Sequence, residues 1–267
     1  MPENNSPQDL LKDDLALVTE VAREAGGIAQ KYFRRDPEVW WKGGTSPVSE
    51  ADLAVDRFLR ERLMTARPDY GWLSEETAAV DHELARERVF IVDPIDGTRA
   101  FIDGRPIWCV SIGIAFRGRS VVGVLECPEL SETYQGLEGG GAFRNGERIV
   151  VKPAGDAFVI AGPKPMVKAL PEEVGQKTTP YGYVPSLAYR IAMVASGALD
   201  ATFVKPNSHD WDLAGADVIL REAGGALHDA DGRLPVYAGA DPRKGALAAG
   251  SGALLETMTA TLSEYRQ

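Results

Sequence analysis

The chain has 267 residues, with 39 Asp and Glu against 29 Lys and Arg and a formal net charge of −10 at pH 7. It lacks the basic excess that nucleic-acid polymers and anionic membrane surfaces attract, so neither is expected as a partner. No uncharged run approaches the ~20 apolar residues that span a bilayer, and residues 1–10 lack the pattern of a secretory signal. We therefore expect a cytoplasmic protein.

The two cysteines, Cys109 and Cys127, lie in apolar, strand-like runs without further Cys or His at metal-ligand spacing. We predict buried thiols in a reducing compartment.

Helical and strand-like patterns follow one another in blocks. Apolar residues at i, i+3, i+4 and i+7 spacing predict a long amphipathic helix over residues 10–33. The turn-rich residues 38–47 predict a mobile loop. A capping pattern of Ser49 with Asp52 predicts a second helix that ends before Pro68. Strands are then predicted at residues 71–74, 89–93, 109–116 and 120–127. A meander is predicted to continue through residues 133–136 and 141–151, where Asn145-Gly146 is typical of a type I′ hairpin turn.

The second half of the chain alternates between element types. Helices are predicted at residues 186–196, 211–223 and 254–265, with a strand at 201–204. Two helices, a largely antiparallel sheet and then alternating elements indicate a layered α+β fold rather than a doubly wound parallel sheet. We place a boundary in the Pro- and Gly-rich segment after residue 152. Residues 1–152 would form an α+β lobe with the metal site, and residues 153–267 an α/β lobe that completes it, as one functional unit.

The most informative segment is residues 89–104, where a strand of β-branched and aromatic residues runs into Asp93. A proline turn follows, and Asp96 precedes Gly97 and Thr98 at the start of a predicted short helix. Two carboxylates three residues apart across a stiff turn can face one point, where a hard divalent cation could bridge them. Gly97 permits close approach of a ligand, and the free N–H groups of a helix start favour phosphate.

Ordinary turn formation is the alternative interpretation, because Asp-Pro and Asp-Gly pairs are common in turns and Asp96 alone can cap a helix. Further acids at the ends of other elements favour a metal site. Glu75 and Glu76 follow a predicted strand, and Asp212 opens a predicted helix. Ligands that offer only oxygen favour Mg²⁺ or Mn²⁺ over zinc.

Two segments resemble the signature motifs of the inositol monophosphatase superfamily. They are DPIDGT at residues 93–98 and WDLAGA at residues 211–216, which continues to EAGG at residues 222–225. With the elements around them, the resemblance covers roughly residues 10–232. It implies an αβαβα layered sandwich, a homodimer, and a lithium-sensitive, Mg²⁺-dependent hydrolase of phosphate monoesters.

The resemblance implies a set of metal ligands. Glu75, Asp93 and the carbonyl of Ile95 would hold a first ion. Asp93, Asp96 and Asp212 would hold a second, so that Asp93 bridges the two. Two or three Mg²⁺ ions are expected, with Mn²⁺ as a substitute.

The resemblance also implies the residues that act on substrate. Thr98 and Glu75 would orient the metal-bound water that attacks phosphorus in line, and the N–H groups of Gly97 and Thr98 would bind phosphate oxygens. Asp52 would reach a third, weaker metal through water, and Lys42 would lie on the mobile loop over that site. Such metals lower the pKa of water and stabilise the leaving alkoxide, so no covalent intermediate is required.

The chain departs from the family where substrate is chosen. Lys205 stands seven positions before Asp212, where inositol monophosphatases have an acidic residue that contacts inositol hydroxyls. Lys205 could pair with a second phosphate, as 3′(2′),5′-bisphosphate nucleotidases would need, or be solvated. His209 could contact substrate or be salt-bridged. Inositol monophosphate is the family default, and bisphosphate nucleotides, histidinol phosphate and fructose bisphosphate compete with it.

Two functions of other classes use the same acids. A glycosidase would employ two of Glu75, Asp93 and Asp96 as acid and nucleophile and would work without Mg²⁺. A non-catalytic regulatory protein would keep the fold and the metal site. All motif positions are occupied by the expected residues, which gives no sign of a lost active site.

Overall fold

The structure is a computed structural model that describes residues 6–43, 46–77, 80–153 and 155–265. Within these ranges the chain forms nine α-helices. They are α1 (Pro7–Gln30), α2 (Glu50–Ala66), α3 (Asp81–Leu84), α4 (Thr98–Ile102), α5 (Lys164–Lys168), α6 (Glu172–Gly175), α7 (Leu187–Ala195), α8 (Asp210–Glu222) and α9 (Gly252–Thr261).

Sixteen strands are formed by the same described ranges. They are β1 (Val39–Lys42), β2 (Ser46–Ser49), β3 (Gly71–Ser74), β4 (Arg88–Asp96), β5 (Cys109–Phe116), β6 (Arg119–Cys127), β7 (Glu132–Leu137), β8 (Gly141–Arg144), β9 (Glu147–Ile149), β10 (Phe158–Ala161), β11 (Thr178–Pro180), β12 (Ala201–Val204), β13 (Ser208–His209), β14 (Ala226–His228), β15 (Arg243–Lys244) and β16 (Leu247–Gly250).

Twelve of these strands form two sheets, and the other four form the two-stranded ribbons β1-β2 and β13-β15. The larger has the order β3-β4-β5-β6-β7-β8-β9 and is antiparallel except between β3 and β4. The smaller has the order β11-β10-β12-β16-β14 and mixes both directions. The predicted α+β class is therefore confirmed. The two sheets fall on either side of residue 152, while the division into two lobes stays a prediction.

Helices cover the large sheet on both faces. Apolar side chains of α1 and α2, among them Val18 and Leu59, pack with Phe90 and Ile112 of the sheet in one buried cluster. On the opposite face, α8 contacts β5, β6 and β7. The approach is so close that a Cβ on Gly123 would lie 2.1 Å from the carbonyl oxygen of Gly215, so only glycine fits there.

The remaining layers follow from the contacts of α7 to α9. Helices α7 and α8 contact both the large sheet and the small one, and α9 covers the small sheet through β12, β14 and β16. The order of helices, sheet, helices, sheet and helices is the predicted αβαβα sandwich. None of the described helices combines the length and apolar composition needed to cross a bilayer.

The predicted loop at residues 38–47 is wrong in part. Strands β1 and β2 pair antiparallel there, with Trp40 opposite Val48 and Trp41 opposite Pro47. Valine and tryptophan favour extended backbone, and a proline is tolerated in a two-stranded ribbon that has no further neighbour to bond. The prediction weighed the glycines and proline and underrated these strand formers. Residues 44 and 45, also part of that predicted loop, lie outside the described residues.

The turns read from the sequence are better matched. Asn145 and Gly146, predicted to form a type I′ hairpin, have φ of 53° and 82° and join β8 to β9. The first helix begins three residues earlier than predicted, because Ser6 and Asp9 form a capping box ahead of the apolar stripe.

Candidate active site

An irregularity at the end of β4 brings two of the predicted acids together. The pairing of β4 with β5 shifts register between Asp93, opposite Ser111, and Asp96, opposite Cys109. Such a bulge redirects the side chains that follow it. The Asp93 carboxylate also accepts a hydrogen bond from the N–H of Ile95 at 3.0 Å, which holds the turn. Strand β4 thus extends three residues beyond the predicted end at Asp93, and this irregular end holds both Asp93 and Asp96.

A third carboxylate joins them from the other half of the chain. Asp93, Asp96 and Asp212 each offer an oxygen atom within 4.8 Å of the others. Asp212 sits in the first turn of α8 and accepts the N–H of His209 at 2.7 Å. Three hard oxygen ligands at this spacing fit a divalent cation such as Mg²⁺.

The electrostatics of this cluster call for positive charge. Burial raises the pKa of Asp93 well above its usual value, and the charges of Glu75 and Asp96 raise it further. Burial and the neighbouring Glu76 raise the pKa of Glu75 to about 8. Burial and Asp96 raise the pKa of Asp212 to about 7. Like charges in a desolvated cluster favour protonation, and a bound divalent cation reverses that preference. The donor set and its charge therefore both fit Mg²⁺.

Asp96 is anchored by a helix that sequence reasoning did not connect to it. Its carboxylate accepts the Ser186 hydroxyl and the N–H groups of Leu187, at 3.2 Å, and Ala188, at 2.7 Å. These are the first groups of α7, whose N-terminus favours an anion. The only feature of the sequence that pointed to this contact was Ser186, just before an apolar run. It indicated that a helix begins there but not that the helix would bind Asp96.

Glu75 and Lys42 meet beside the cluster, yet Lys42 is committed to a neighbour. Glu75 follows β3, and its N–H donates to the carbonyl of Val92 at 3.2 Å. Lys42 forms an ion pair with Glu76 and donates to the Glu75 carbonyl at 3.3 Å. The hairpin β1–β2 is thereby tied to the segment that presents Glu75. The role of Lys42 toward phosphate stays a prediction.

Thr98 connects the cluster to Asp52. Its hydroxyl lies 3.1 Å from the Asp52 carboxylate and 3.0 Å from the Ile95 carbonyl, the two acceptors between which its one proton is shared. Asp52 also accepts the N–H of Ser49 at 2.7 Å. Burial raises the pKa of Asp52 to about 6. The structure thus places Asp52 next to Thr98, and the link of Asp52 to a third metal stays a prediction.

These residues line a cavity of about 550 Å³. Glu75, Asp93, Asp96 and Asp212 form its acidic wall, and the described residues around it also include Gly97, Thr98, Lys205 and His209. Every predicted site residue except Lys42 and the buried Asp52 therefore lines it, Ile95 among them. The N-terminus of α4 opens onto it at Gly97, whose φ is +102°.

His209 lies beside Trp211 and Asp212, with its Nδ1 3.9 Å from an Asp212 oxygen. Its ring stacks on Trp211, with 4.6 Å between ring centroids and 4° between planes. Burial and the nearby Arg243 lower the pKa of His209 below its usual value, so the imidazole is uncharged at pH 7. The salt-bridge alternative is therefore disfavoured, and a contact with substrate stays a prediction.

Both cysteines are buried and unpaired by disulfide, as predicted. The sequence did not show that Cys109 lies near the acids, with its sulfur 3.9 Å from an Asp96 oxygen. Burial raises the pKa of Cys109 well above its usual value, so the thiol stays protonated and offers no thiolate to a metal. The ligand set remains one of oxygen atoms.

A protein-family model described as the inositol monophosphatase family matches residues 11–267. The chain belongs to this family. Inositol monophosphatase 3 of Solanum lycopersicum is 34% identical over 245 residues, covering 87% of this chain and 90% of the relative. A histidinol-phosphatase of Chlorobaculum parvum is 35% identical over 234 residues, covering 85% and 89%.

Solved structures of this family share the fold. An IMPase of Thermotoga maritima superposes with a TM-score of 0.82 at 26% identity, covering 95% of this chain and 98% of that one. The extragenic suppressor protein suhB of Bartonella henselae superposes with a TM-score of 0.81 at 26% identity, covering 94% and 99%. The family, the fold and the class of phosphomonoesterase predicted from the motifs are thus confirmed.

Proposed function

We propose that this protein is a Mg²⁺-dependent phosphatase that hydrolyses a small phosphate monoester with water, in the manner expected of an inositol monophosphatase. The observation that carries the proposal is the cluster of Asp93, Asp96 and Asp212, whose oxygen atoms lie within 4.8 Å of one another in a cavity shared with Glu75.

Mg²⁺ ions held there by Glu75, Asp93, Asp96, Asp212 and the Ile95 carbonyl would lower the pKa of water, neutralise phosphate charge and stabilise the leaving alkoxide. Burial and mutual repulsion hold the pKa values of these carboxylates above their usual range. Protons therefore compete with the cation, and activity should require a pH at which the cation wins.

The chain's own groups supply binding and orientation. Glu75 and the Thr98 hydroxyl would together orient the attacking water. Gly97 and Thr98 line the cavity, where the first N–H groups of α4 would receive phosphate oxygens. His209 is proposed to contact the substrate from the cavity wall, and Lys42 would do so after leaving its ion pair with Glu76.

The substrate is proposed from the relatives and from the cavity. The relatives named inositol monophosphatase and histidinol-phosphatase make inositol monophosphate and histidinol phosphate the first candidates. Lys205 on the cavity wall favours a bisphosphorylated compound as the alternative. Family membership favours all of these over glycoside hydrolysis.

The test is phosphate release from inositol 1-phosphate, histidinol phosphate, adenosine 3′,5′-bisphosphate and fructose 1,6-bisphosphate, each with Mg²⁺, with EDTA and with Li⁺. We expect release with Mg²⁺, none with EDTA, and inhibition by Li⁺. Release that persists in EDTA would contradict the metal-dependent mechanism. Mg²⁺ binding by calorimetry without hydrolysis of any substrate would favour the regulatory alternative.

A homodimer and a cytoplasmic location complete the proposal. Both follow from the resemblance and the sequence rather than from the described coordinates. Sedimentation equilibrium tests the first, and fractionation of the source cells tests the second. A strictly monomeric species at micromolar concentration would remove the dimer from the proposal.

A further inference from the structure

A second cavity, of about 590 Å³, adjoins the acidic one. Five residues line both cavities, namely Tyr183, Pro185, Leu187, Lys205 and Ser208. The two spaces therefore share a wall, and a small molecule whose phosphate occupies the acidic cavity would extend toward the second one.

The charges that line this second cavity are all positive. Lys164, Arg190 and Lys205 contribute to its lining, and none of its described lining residues is acidic. Acidic residues outnumber basic ones in the chain as a whole, 39 to 29. A cavity lined by three cations and no acid therefore differs from the average composition of the chain. Such a surface attracts an anion.

No described acid forms a close ion pair with these cations. Among the described residues, none of the three takes part in an ion pair within 4.0 Å. The buried Nε of Arg190 has no hydrogen-bond partner in the described structure, while its Nη2 donates to the Phe203 carbonyl at 3.2 Å. A buried guanidinium N–H left without an acceptor is costly, and an anionic ligand would satisfy it.

Lys205 links the two cavities electrostatically. It lies close enough to Asp212 to oppose the rise in the pKa of that carboxyl group. Arg190, which lines the second cavity and not the acidic one, similarly interacts with Asp96. Both cations therefore line the second cavity within electrostatic reach of the acids that line the first.

We propose that Lys164, Arg190 and Lys205 form a subsite for a second anionic group of the substrate, so that the preferred substrate is a bisphosphorylated small molecule. This inference rests on the proposed phosphatase function and deepens it by naming a substrate class. Histidinol phosphate carries an ammonium group instead of a second anion and is expected among the poorer substrates.

The experiment compares matched pairs of substrates that differ by one phosphate. The pairs are adenosine 3′,5′-bisphosphate with adenosine 3′-monophosphate, and fructose 1,6-bisphosphate with fructose 1-phosphate. We expect kcat/KM with Mg²⁺ to favour the bisphosphate by about tenfold or more in at least one pair. The pair that shows the preference tells whether the second phosphate is carried by a nucleoside or by a sugar.

Lys164→Gln tests the subsite, because Lys164 is exposed and its substitution should not disturb the core. We expect the ratio of the two kcat/KM values to fall by about tenfold, mainly through KM for the bisphosphate. Lys168→Gln is the matched control, since Lys168 lies one turn further along α5 and does not line the cavity. The control should leave both values unchanged.

Binding provides a readout that does not depend on turnover. Calorimetry on the Glu75→Gln variant with Mg²⁺ should show that the bisphosphate binds more tightly than its matched monophosphate, in each pair for which turnover shows a preference. Adding Lys164→Gln to that variant should abolish this difference in affinity. If the bisphosphate and the monophosphate of each pair are hydrolysed equally well and bound equally tightly, the subsite is overturned while the phosphatase proposal stands. Absence of all hydrolysis with a retained binding preference would overturn the phosphatase proposal and support the subsite.

Discussion

The proposed chemistry of this protein depends on single carboxylates. Asp93 is only 2% exposed, and its charged form is disfavoured by burial and by the neighbouring acids. A buried carboxylate whose charged form is disfavoured in this way fits a role in binding a cation.

Asp93→Asn is the sharpest test at this scale. The amide keeps the shape and can still accept the N–H of Ile95, but it removes the charge that would bridge two ions. We expect kcat/KM to fall by more than about 100-fold. In EDTA at pH 8 the variant should unfold at a urea concentration no lower than the wild type, because one buried charge has gone. Near-normal Mg²⁺-dependent turnover would refute the bridging role.

Thr98→Ala separates the orientation of water from the binding of metal. The Thr98 hydroxyl lies within hydrogen-bond distance of Asp52 and of the Ile95 carbonyl, and it is not one of the proposed metal ligands. We expect kcat to fall by roughly 10- to 100-fold, while the Mg²⁺ concentration for half-maximal activity changes little. Thr98→Ser keeps the hydroxyl and should recover most of kcat. An unchanged kcat in the alanine variant would count against the assigned role.

Two junctions between elements set the geometry of the site. The turn from β4 into α4 passes through Gly97, and the first N–H groups of α7 fasten Asp96. The acids could not converge if either junction moved, because each carboxylate is placed by the backbone immediately around it.

Gly97→Ala should strain the first junction. The φ of +102° lies in the region that L residues rarely adopt, and a Cβ would lie 3.1 Å from the Ile107 carbonyl oxygen. We expect a loss of about 1 to 3 kcal/mol in the free energy of unfolding, measured by urea denaturation. Gly27→Ala is the control, because Gly27 lies on the exposed face of α1 with no atom within 4 Å of a Cβ. That control should gain about 0.5 to 1 kcal/mol. Equal stability of the two variants would contradict the strain argument.

Because the acid cluster joins both halves of the molecule, the stability of the whole fold should depend on pH and on bound metal. Asp93 and Asp96 belong to the large sheet, whereas Asp212 belongs to α8, which contacts both sheets. Binding a cation between them should therefore stabilise the whole fold. An ion present at 100 times its Kd contributes about 2.7 kcal/mol by mass action.

The stability of the metal-free protein should fall as pH rises from 6.5 to about 8.5. The pKa values of Asp212, about 7, and Glu75, about 8, are raised above their usual values. The folded state therefore holds protons that the unfolded state has released, and this advantage is lost as the pH passes through the raised values. Urea denaturation in EDTA measures the slope, which Glu75→Gln should flatten. Saturating Mg²⁺ should suppress the slope, and a slope of the opposite sign in EDTA would contradict the raised pKa values.

Local sequence determined much of this protein. The spacing of Asp93, Asp96 and Gly97, the hairpin at Asn145-Gly146 and the family motifs all depend on residues that are neighbours along the chain. Their geometry follows from covalent distance and from the backbone preferences of glycine, proline and aspartate. The α+β class, and a cluster of acids that includes Asp93, Asp96 and Asp212, could therefore be predicted from the sequence.

The tertiary structure alone decided which distant groups meet. Three of its contacts join segments far apart in the chain. The N-terminus of α7 donates hydrogen bonds to Asp96, Lys42 pairs with Glu76, and Lys164 and Arg190 line the second cavity together. Such contacts depend on how two sheets and their helices pack, and no periodicity or motif encodes the relative placement of packed elements. Lys205 could be singled out from the sequence, but the cationic cavity around it became visible only when packing had brought the other two cations alongside.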